Sequence, residues 1–477
     1  MKQENLSPKD REIVQLIAQY EAAKAEDRNL YLDPDQLANI ADQYALQRNF
    51  EKAQEAITYG LYLHPGNTSL LIEQAYLYLD LQQNELAQEV ADSIKEDYDP
   101  KVKLLKAELL LNEEKPEAAN DLLSSIDLSE INIDTLNDII YLFSDLEYSE
   151  TAWEWLDKGE AEYGEKEEFI AMKANFLATT EQFEEAVSQY NRLLDIDPYN
   201  AFYWVEMAKC CFSKGDCGKA IEACDFALAI NEKYGEAYLY RGHAFFYMNN
   251  SKMAIPNYKK AMEYNSIAPK LGYMFIGLAY MNEESWEKSN SYFQKIIDLF
   301  EEEKDNHSPF LADIYTYKAK VTFELGNNKE AYELCEKAKY IFPDKADIYL
   351  TEGKLYLKDG LPEKASESFK FALKYDSGFE IQYLIGLAYT DSGMLQEAKT
   401  YYKEAFRIFP RYVDVAERLS AICLINNEIG DFLKYNAETA NPIDEAGIKD
   451  LLTLIDRTEG EKEKLHKILE RIKENKK

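Results

Sequence analysis

The residues able to do chemistry in this chain are few and scattered. Histidine occurs four times, at His64, His243, His307 and His466, too far apart in sequence for spacing to assign a shared metal or a proton relay. Four of the six cysteines, Cys210, Cys211, Cys217 and Cys224, fall in one stretch. Zinc sites use cysteine pairs two to four residues apart, and these spacings do not match. Cys211 and Cys224 take inward positions that Tyr and Phe hold elsewhere, which makes them core residues. No glycine-rich phosphate loop, Gly-x-Ser-x-Gly or His-Glu-x-x-His occurs. With 88 acidic residues, pairs of carboxylates carry no information. The expectation is no catalytic residue, no metal, no cofactor and no enzymatic activity.

The 477 residues are 46% apolar, enough to bury an extensive core. The formal charge, 54 − 88 = −34, opposes binding to nucleic acid and anionic lipid. It either keeps a large exposed surface soluble or favours basic and neutral partners. Cys335 and Cys423 complete a sparse, uneven set of cysteines, unlike a secreted disulfide framework. The sequence shows no apolar leader and no run of about 18 apolar residues. A cytoplasmic protein without membrane insertion is expected.

What positions the side chains is a repeat. Small residues recur in pairs twelve apart: Ala41/Ala53, Ala75/Ala87, Ala174/Ala186, Ala208/Ala220, Gly242/Ala254, Gly277/Ser289, Ala319/Ala331, Gly353/Ala365 and Gly386/Ala398. Two helices joined by a short turn approach closely only where side chains are small. Pro65, Pro198, Pro343 and Pro410 follow the second small residue by twelve and separate units. Gly215, Gly326, Gly360 and Gly393 precede it by five, where a left-handed cap ends the first helix. Tyr44, Tyr78, Tyr280, Tyr356 and Tyr389 sit three after the first small residue; Tyr190, Phe293, Phe369 and Tyr402 sit four after the second. Both spacings put the ring on the inward stripe. With Ala118 and Ala152 taken as second small residues of two less regular units, the step is 34 in most places, 31 before Ala118 and 42 before Ala331.

A period near 34 with this pattern resembles the tetratricopeptide repeat family. Trp204-x-x-Met207-Ala208 with Ala220, Cys224 and Ala227 follows its consensus, as does Tyr349-x-x-Glu352-Gly353-x-x-Tyr356 with Ala365, Phe369 and Ala372. The resemblance covers residues 34 to 412, with a degenerate unit to 442. It implies an all-α, right-handed superhelical solenoid of about 11–12 antiparallel helix pairs with helical caps. Residues 1–33 read as a capping helix, with Ser7 as cap and Pro8 in its first turn. A first block of about eight units spans 34–300, a charged insertion 301–309, a second block 310–442, and capping helices with a basic tail 443–477. The insertion reads as a loop or an extended helix end. It is either a joint between blocks or a bulge on one rim.

In such solenoids the first helix of each pair lines a concave groove, and the residue after its small anchor faces inward. That row reads Asp42, Tyr76, Asn175, Lys209, His243, Leu278, Lys320, Lys354 and Leu387, with Tyr240, Phe275 and Tyr317 three positions earlier on their helices. The resemblance implies a peptide-binding groove at Asn175, Lys209, Tyr240, His243, Phe275, Tyr317, Lys320 and Lys354. Lysines there either form a solvated face or recognise an acidic peptide or a C-terminal carboxylate. The family's carboxylate clamp also needs an Arg, which this row lacks. The expected function is a protein-interaction scaffold. The alternatives are a ligand-responsive regulatory sensor, a chaperone-like adaptor, or a subunit delivering a catalytic partner.

Overall fold

The computed structural model describes residues 8–444 except 27, 29, 128–130, 147 and 427. Ser7 and all but the first two residues of the expected capping helices and basic tail at 443–477 lie outside the described residues. Among the described residues there are twenty-five helices and no strand, and the chain divides into two compact units at Tyr203/Trp204.

In the first unit α1 (Pro8–Ala25) precedes five helix pairs. These are α2 (Pro34–Leu46) with α3 (Phe50–Leu63), α4 (Thr68–Asp80) with α5 (Asn84–Ser93), α6 (Pro100–Asn112) with α7 (Pro116–Ser124), α8 (Ile133–Asp145) with α9 (Ser149–Tyr163), and α10 (Glu167–Thr179) with α11 (Phe183–Ile196). The division falls inside α12 (Ala201–Ser213), which α13 (Cys217–Ile230) follows. The second unit continues with α14 (Gly235–Tyr247) and α15 (Ser251–Glu263), α16 (Pro269–Asn282) and α17 (Trp286–Glu303), and α18 (Pro309–Glu324) and α19 (Asn328–Ile341). It ends with α20 (Ala346–Lys358) and α21 (Pro362–Tyr375), α22 (Phe379–Asp391) and α23 (Leu395–Ile408), and α24 (Val413–Ile425) and α25 (Ile429–Asn436).

Each pair closes where the sequence places its small residues: Ala75, Ala87, Ala319, Ala331, Ala365 and Ala398 have no exposed surface. One register needs correction. In the third pair the buried residue is Ala119, not Ala118, which is exposed. The turn sets this register, because Glu114, five before Ala119, is left-handed (φ 59°). The shortened repeats come from truncated second helices: α5 has 10 residues and α7 has 9, against 14 in α3.

All four predicted turn glycines are left-handed, with φ from 71° to 88°. After Gly360, Leu361 N–H returns to the Tyr356 carbonyl at 2.9 Å, satisfying a carbonyl the ending helix leaves open. Arg48, Gln82, Glu181, Asn249 and Glu284 take the same conformation in their turns without being glycine. The turn geometry is therefore imposed by the packing of the pair, and glycine only makes it cheaper.

The leading helix caps the first pair. Tyr20 is buried against Tyr59, and Glu21 accepts a hydrogen bond from the Tyr44 hydroxyl at 2.9 Å. Residues 301–303 extend α17 by a turn, Lys304 caps it with φ 58°, and Pro309 opens α18. Phe300 at that extension is buried beside Leu311 and Ile314. The degenerate last pair keeps the register with Ser420 and Phe432 buried.

First helices also pack side by side: α2 on α4, α4 on α6, α6 on α8 and α8 on α10 in one unit, and α18 on α20 and α20 on α22 in the other. They form a continuous layer from α2 to α10 in the first unit and from α18 to α22 in the second.

Candidate functional site

Within the second unit the predicted residues separate into three environments. Lys209 on α12 is neutralised: its ammonium donates to Glu206 at 2.6 Å and meets Glu236 at 2.7 Å, and it lies 5.5 Å from the Tyr240 ring centre. Burial works to lower its pKa, but the two glutamates outweigh burial and hold it above the ordinary lysine value.

His243 on α14 belongs to an aromatic cluster. Its Nδ1 shares a hydrogen bond of 3.1 Å with the Tyr258 hydroxyl. The Phe275 ring stands edge-on at 4.8 Å and itself stacks on Tyr258 at 5.2 Å, while Phe212 and Tyr240 approach at 6.0 and 5.9 Å. Burial pushes the imidazole pKa down to about 4, so His243 is uncharged near neutrality. Only the aromatic part of its expected contribution remains.

Lys320 on α18 and Lys354 on α20 differ. Among the described residues neither has an ion-pair partner. Burial pushes both below the ordinary lysine pKa, and Lys354 is lowered further by the charge of Lys320. Asp347 opposes the shift of Lys320, and Asp391 followed by Asp347 opposes that of Lys354, in neither case enough to reverse it. The Lys320 ammonium lies 5.5 Å from the Tyr317 ring centre, and Tyr317 stacks on the buried Phe293 at 5.9 Å. The predicted row therefore narrows to two adjacent, unneutralised lysines beside a fixed tyrosine.

Asn175 belongs to the first unit, where its amide hydrogen-bonds the Tyr141 hydroxyl. Tyr141 and Glu108 complete the inward row there. Sequence reading missed both, because Ile140 replaces the small residue before Tyr141 and the one-residue offset at Ala119 hides Glu108. Counting eleven residues back from each second anchor would have found them once Ala119 was chosen.

The six cysteines are buried and unpaired, and burial pushes Cys210, Cys224 and Cys335 up to about 12, which makes them poor nucleophiles. Cys423, Glu428 and Asp431 lie close enough together to ligate a cation. The Lys399 ammonium already pairs with Glu428, and Lys403 meets Asp431 at 3.1 Å, so the cluster is an ion-pair network. Among the described residues no helix is long and apolar enough to cross a membrane.

An all-α protein of stacked antiparallel helix pairs, closed at small residues and turned through left-handed caps, is a helical repeat protein. The particular repeat is the tetratricopeptide repeat in two stretches, residues 168–200 and 379–412, where that family's model matches. RNA polymerase II-associated protein 3 of Xenopus laevis is 25% identical over 205 residues, 43% of this chain and 27% of that protein. A TPR repeat-containing protein of Methanocaldococcus jannaschii is 26% identical over 234 residues, 47% of this chain and 39% of that one. The chain thus spans well under half the length of either relative. Among solved structures, yeast Tom70 is 15% identical with a TM-score of 0.44, covering 93% of this chain and 96% of its own.

Proposed function

We propose that this chain is a protein-interaction scaffold, without catalytic activity of its own, whose second unit holds an acidic segment of a partner at Lys320 and Lys354. The observation that carries this reading is the pair itself. In a chain of net charge −34, two adjacent lysines on the inward row have no ion-pair partner among the described residues. Keeping like charges together in a half-buried place costs free energy, and an incoming carboxylate would remove that cost. Tyr317 offers a flat wall for the rest of the segment, and the aromatic cluster around His243 offers apolar contact on the same unit. The six unpaired cysteines favour a reducing compartment such as the cytoplasm.

The test is fluorescence anisotropy with labelled acidic peptides ending in a free carboxylate, alongside amidated and neutral twins. Wild type should bind the acidic peptide, and Lys320→Gln/Lys354→Gln should lose at least about tenfold in affinity with unchanged circular dichroism. Equal affinity in the double variant would remove these lysines from the site. Preference for the free carboxylate over the amide would select chain termini over internal acidic segments.

A further inference from the structure

The inward layer of the first unit carries the opposite charge from that of the second. Asp42 on α2, Glu73 and Asp80 on α4, Glu108 on α6 and Asp138 on α8 all lie on it. None has an ion-pair or hydrogen-bond partner among the described residues. Four of the five feel an acidic neighbour: Glu73 feels Asp42, Asp42 and Glu108 feel Asp80, and Asp138 feels Asp134. The cations within reach are Arg48 near Asp80, and Lys101 near Glu73 and Asp138. Five carboxylates against two cations leave the face net negative, with Glu73 and Glu108, raised to about 7, carrying only part of their charge near neutrality.

Two further observations give this face the form of a site. Asp42, Arg48, Glu73, Tyr76 and Asp80 line a cleft of about 590 Å³ whose floor is Ala41, Ala53 and Leu77. The half-buried phenol of Tyr76 lies there near Glu73, Glu108 and Asp138, and its hydroxyl, open to the cleft, has no hydrogen-bond partner within the protein among the described residues. That hydroxyl is free to donate to or accept from a group that enters the cleft.

The chemistry of the occupant follows from the spread of the charges. One metal ion needs several ligand atoms converging on a point. Among the described residues the only group of possible ligand atoms within 4.8 Å of one another is Cys423, Glu428 and Asp431, on the other unit. The five carboxylates are distributed instead over the first helices of four successive pairs, α2, α4, α6 and α8. They match cations distributed along a backbone. We infer that the inward face of the first unit is a docking groove for a cationic protein segment, with lysines or arginines spaced along an extended chain. This reading is independent of the one for Lys320 and Lys354.

The test uses the full chain and a labelled peptide of five Lys-Gly-Ser repeats, with its glutamate counterpart as control, at about 0.15 M salt to suppress long-range attraction. Glu73→Gln/Glu108→Gln is compared with Glu85→Gln/Glu89→Gln, which removes the same charge from the exposed face of α5. Affinity for the lysine peptide should fall about tenfold or more in the first variant and stay unchanged in the second. Equal loss in both would reduce the effect to net charge and overturn the assignment, as would no loss in either. Hydrogen exchange on wild type gives a reading independent of any variant. The lysine peptide should protect α4 and α6, and protection confined to other helices would overturn the groove. Calcium ion giving that protection where the peptide gives none would also overturn it.

Discussion

The ring of Phe369 on α21 lies against the α-carbon of Gly353 on α20. A Cβ at 353 would stand 2.3 Å from the Phe369 ring edge, closer than any real contact. The same fit joins Gly386 to Tyr402, at 2.6 Å. Where the first helix carries Ala319 instead, the residue opposite is the smaller Cys335. In these three pairs small and large residues are exchanged at constant spacing, whereas Ala174 keeps a large Tyr190 in the same register. Gly353→Ala should destabilise the second unit by about 1–3 kcal/mol through overpacking. Gly353→Ala/Phe369→Cys, which copies the Ala319/Cys335 pair, should recover part of that loss. A urea midpoint for the double variant no higher than that of Phe369→Cys with the full Gly353→Ala cost added would show that the two sites do not interact.

The turns supply a second prediction. Glu114 and Glu181 hold φ of 59° and 61°, a conformation that costs a residue with a Cβ about 1 kcal/mol. Glu114→Gly and Glu181→Gly should each raise stability by up to about that amount, less the entropy gained by the unfolded chain. Gly360→Ala, at φ 71° with open space around it, should lower stability by a similar amount. Thermal melts of the three variants decide this, and a stabilising Gly360→Ala would contradict the imposed-turn reading.

How much of this was legible in sequence depended on whether a residue's role is set by its own pair. Small anchors, turn glycines and inward tyrosines are local demands, so their spacing exposed the repeat. The neutralisation of Lys209 was half visible, since Glu206 is three residues away on the same helix, but Glu236 comes from another helix. The charge state of His243 was not visible, because Tyr258 and Phe275 come from two other helices. Among the described residues six turns within pairs reach the left-handed conformation without glycine, so the missing glycines at Arg48, Gln82 and Glu114 concealed the regularity of the early units.

The acidic face makes stability depend on pH in a definite direction. Burial first, and a neighbouring carboxylate second, push Glu73 and Glu108 up to about 7, against about 4.3 for an unfolded glutamate. A group whose folded pKa is raised contributes stability present below its unfolded pKa and lost as pH rises through the folded one. The first unit should therefore be more stable at pH 6 than at pH 8. His243, lowered to about 4, works in the opposite sense below about 6.5, but on the second unit. Hydrogen exchange on α4 and α6 isolates the effect. Slower exchange at pH 6, after correction for the intrinsic rate, is expected, and Glu73→Gln/Glu108→Gln should flatten the difference. An unchanged slope in that variant would place the effect elsewhere.

Lys354 allows stability and binding to be separated. It is half-buried, and its charge is held beside Lys320 with no ion-pair partner among the described residues. Lys354→Met keeps the length of the stem and removes the charge. If the lysine is kept for recognition, its charge weakens the free protein, and the substitution should raise the urea midpoint, by up to about 1 kcal/mol in stability. The same variant should lose affinity for the acidic peptide. A substitution that improves the fold while abolishing binding is the behaviour of a site held at a cost in stability. A lowered midpoint with binding intact would instead make Lys354 a structural residue and leave Lys320 to act alone.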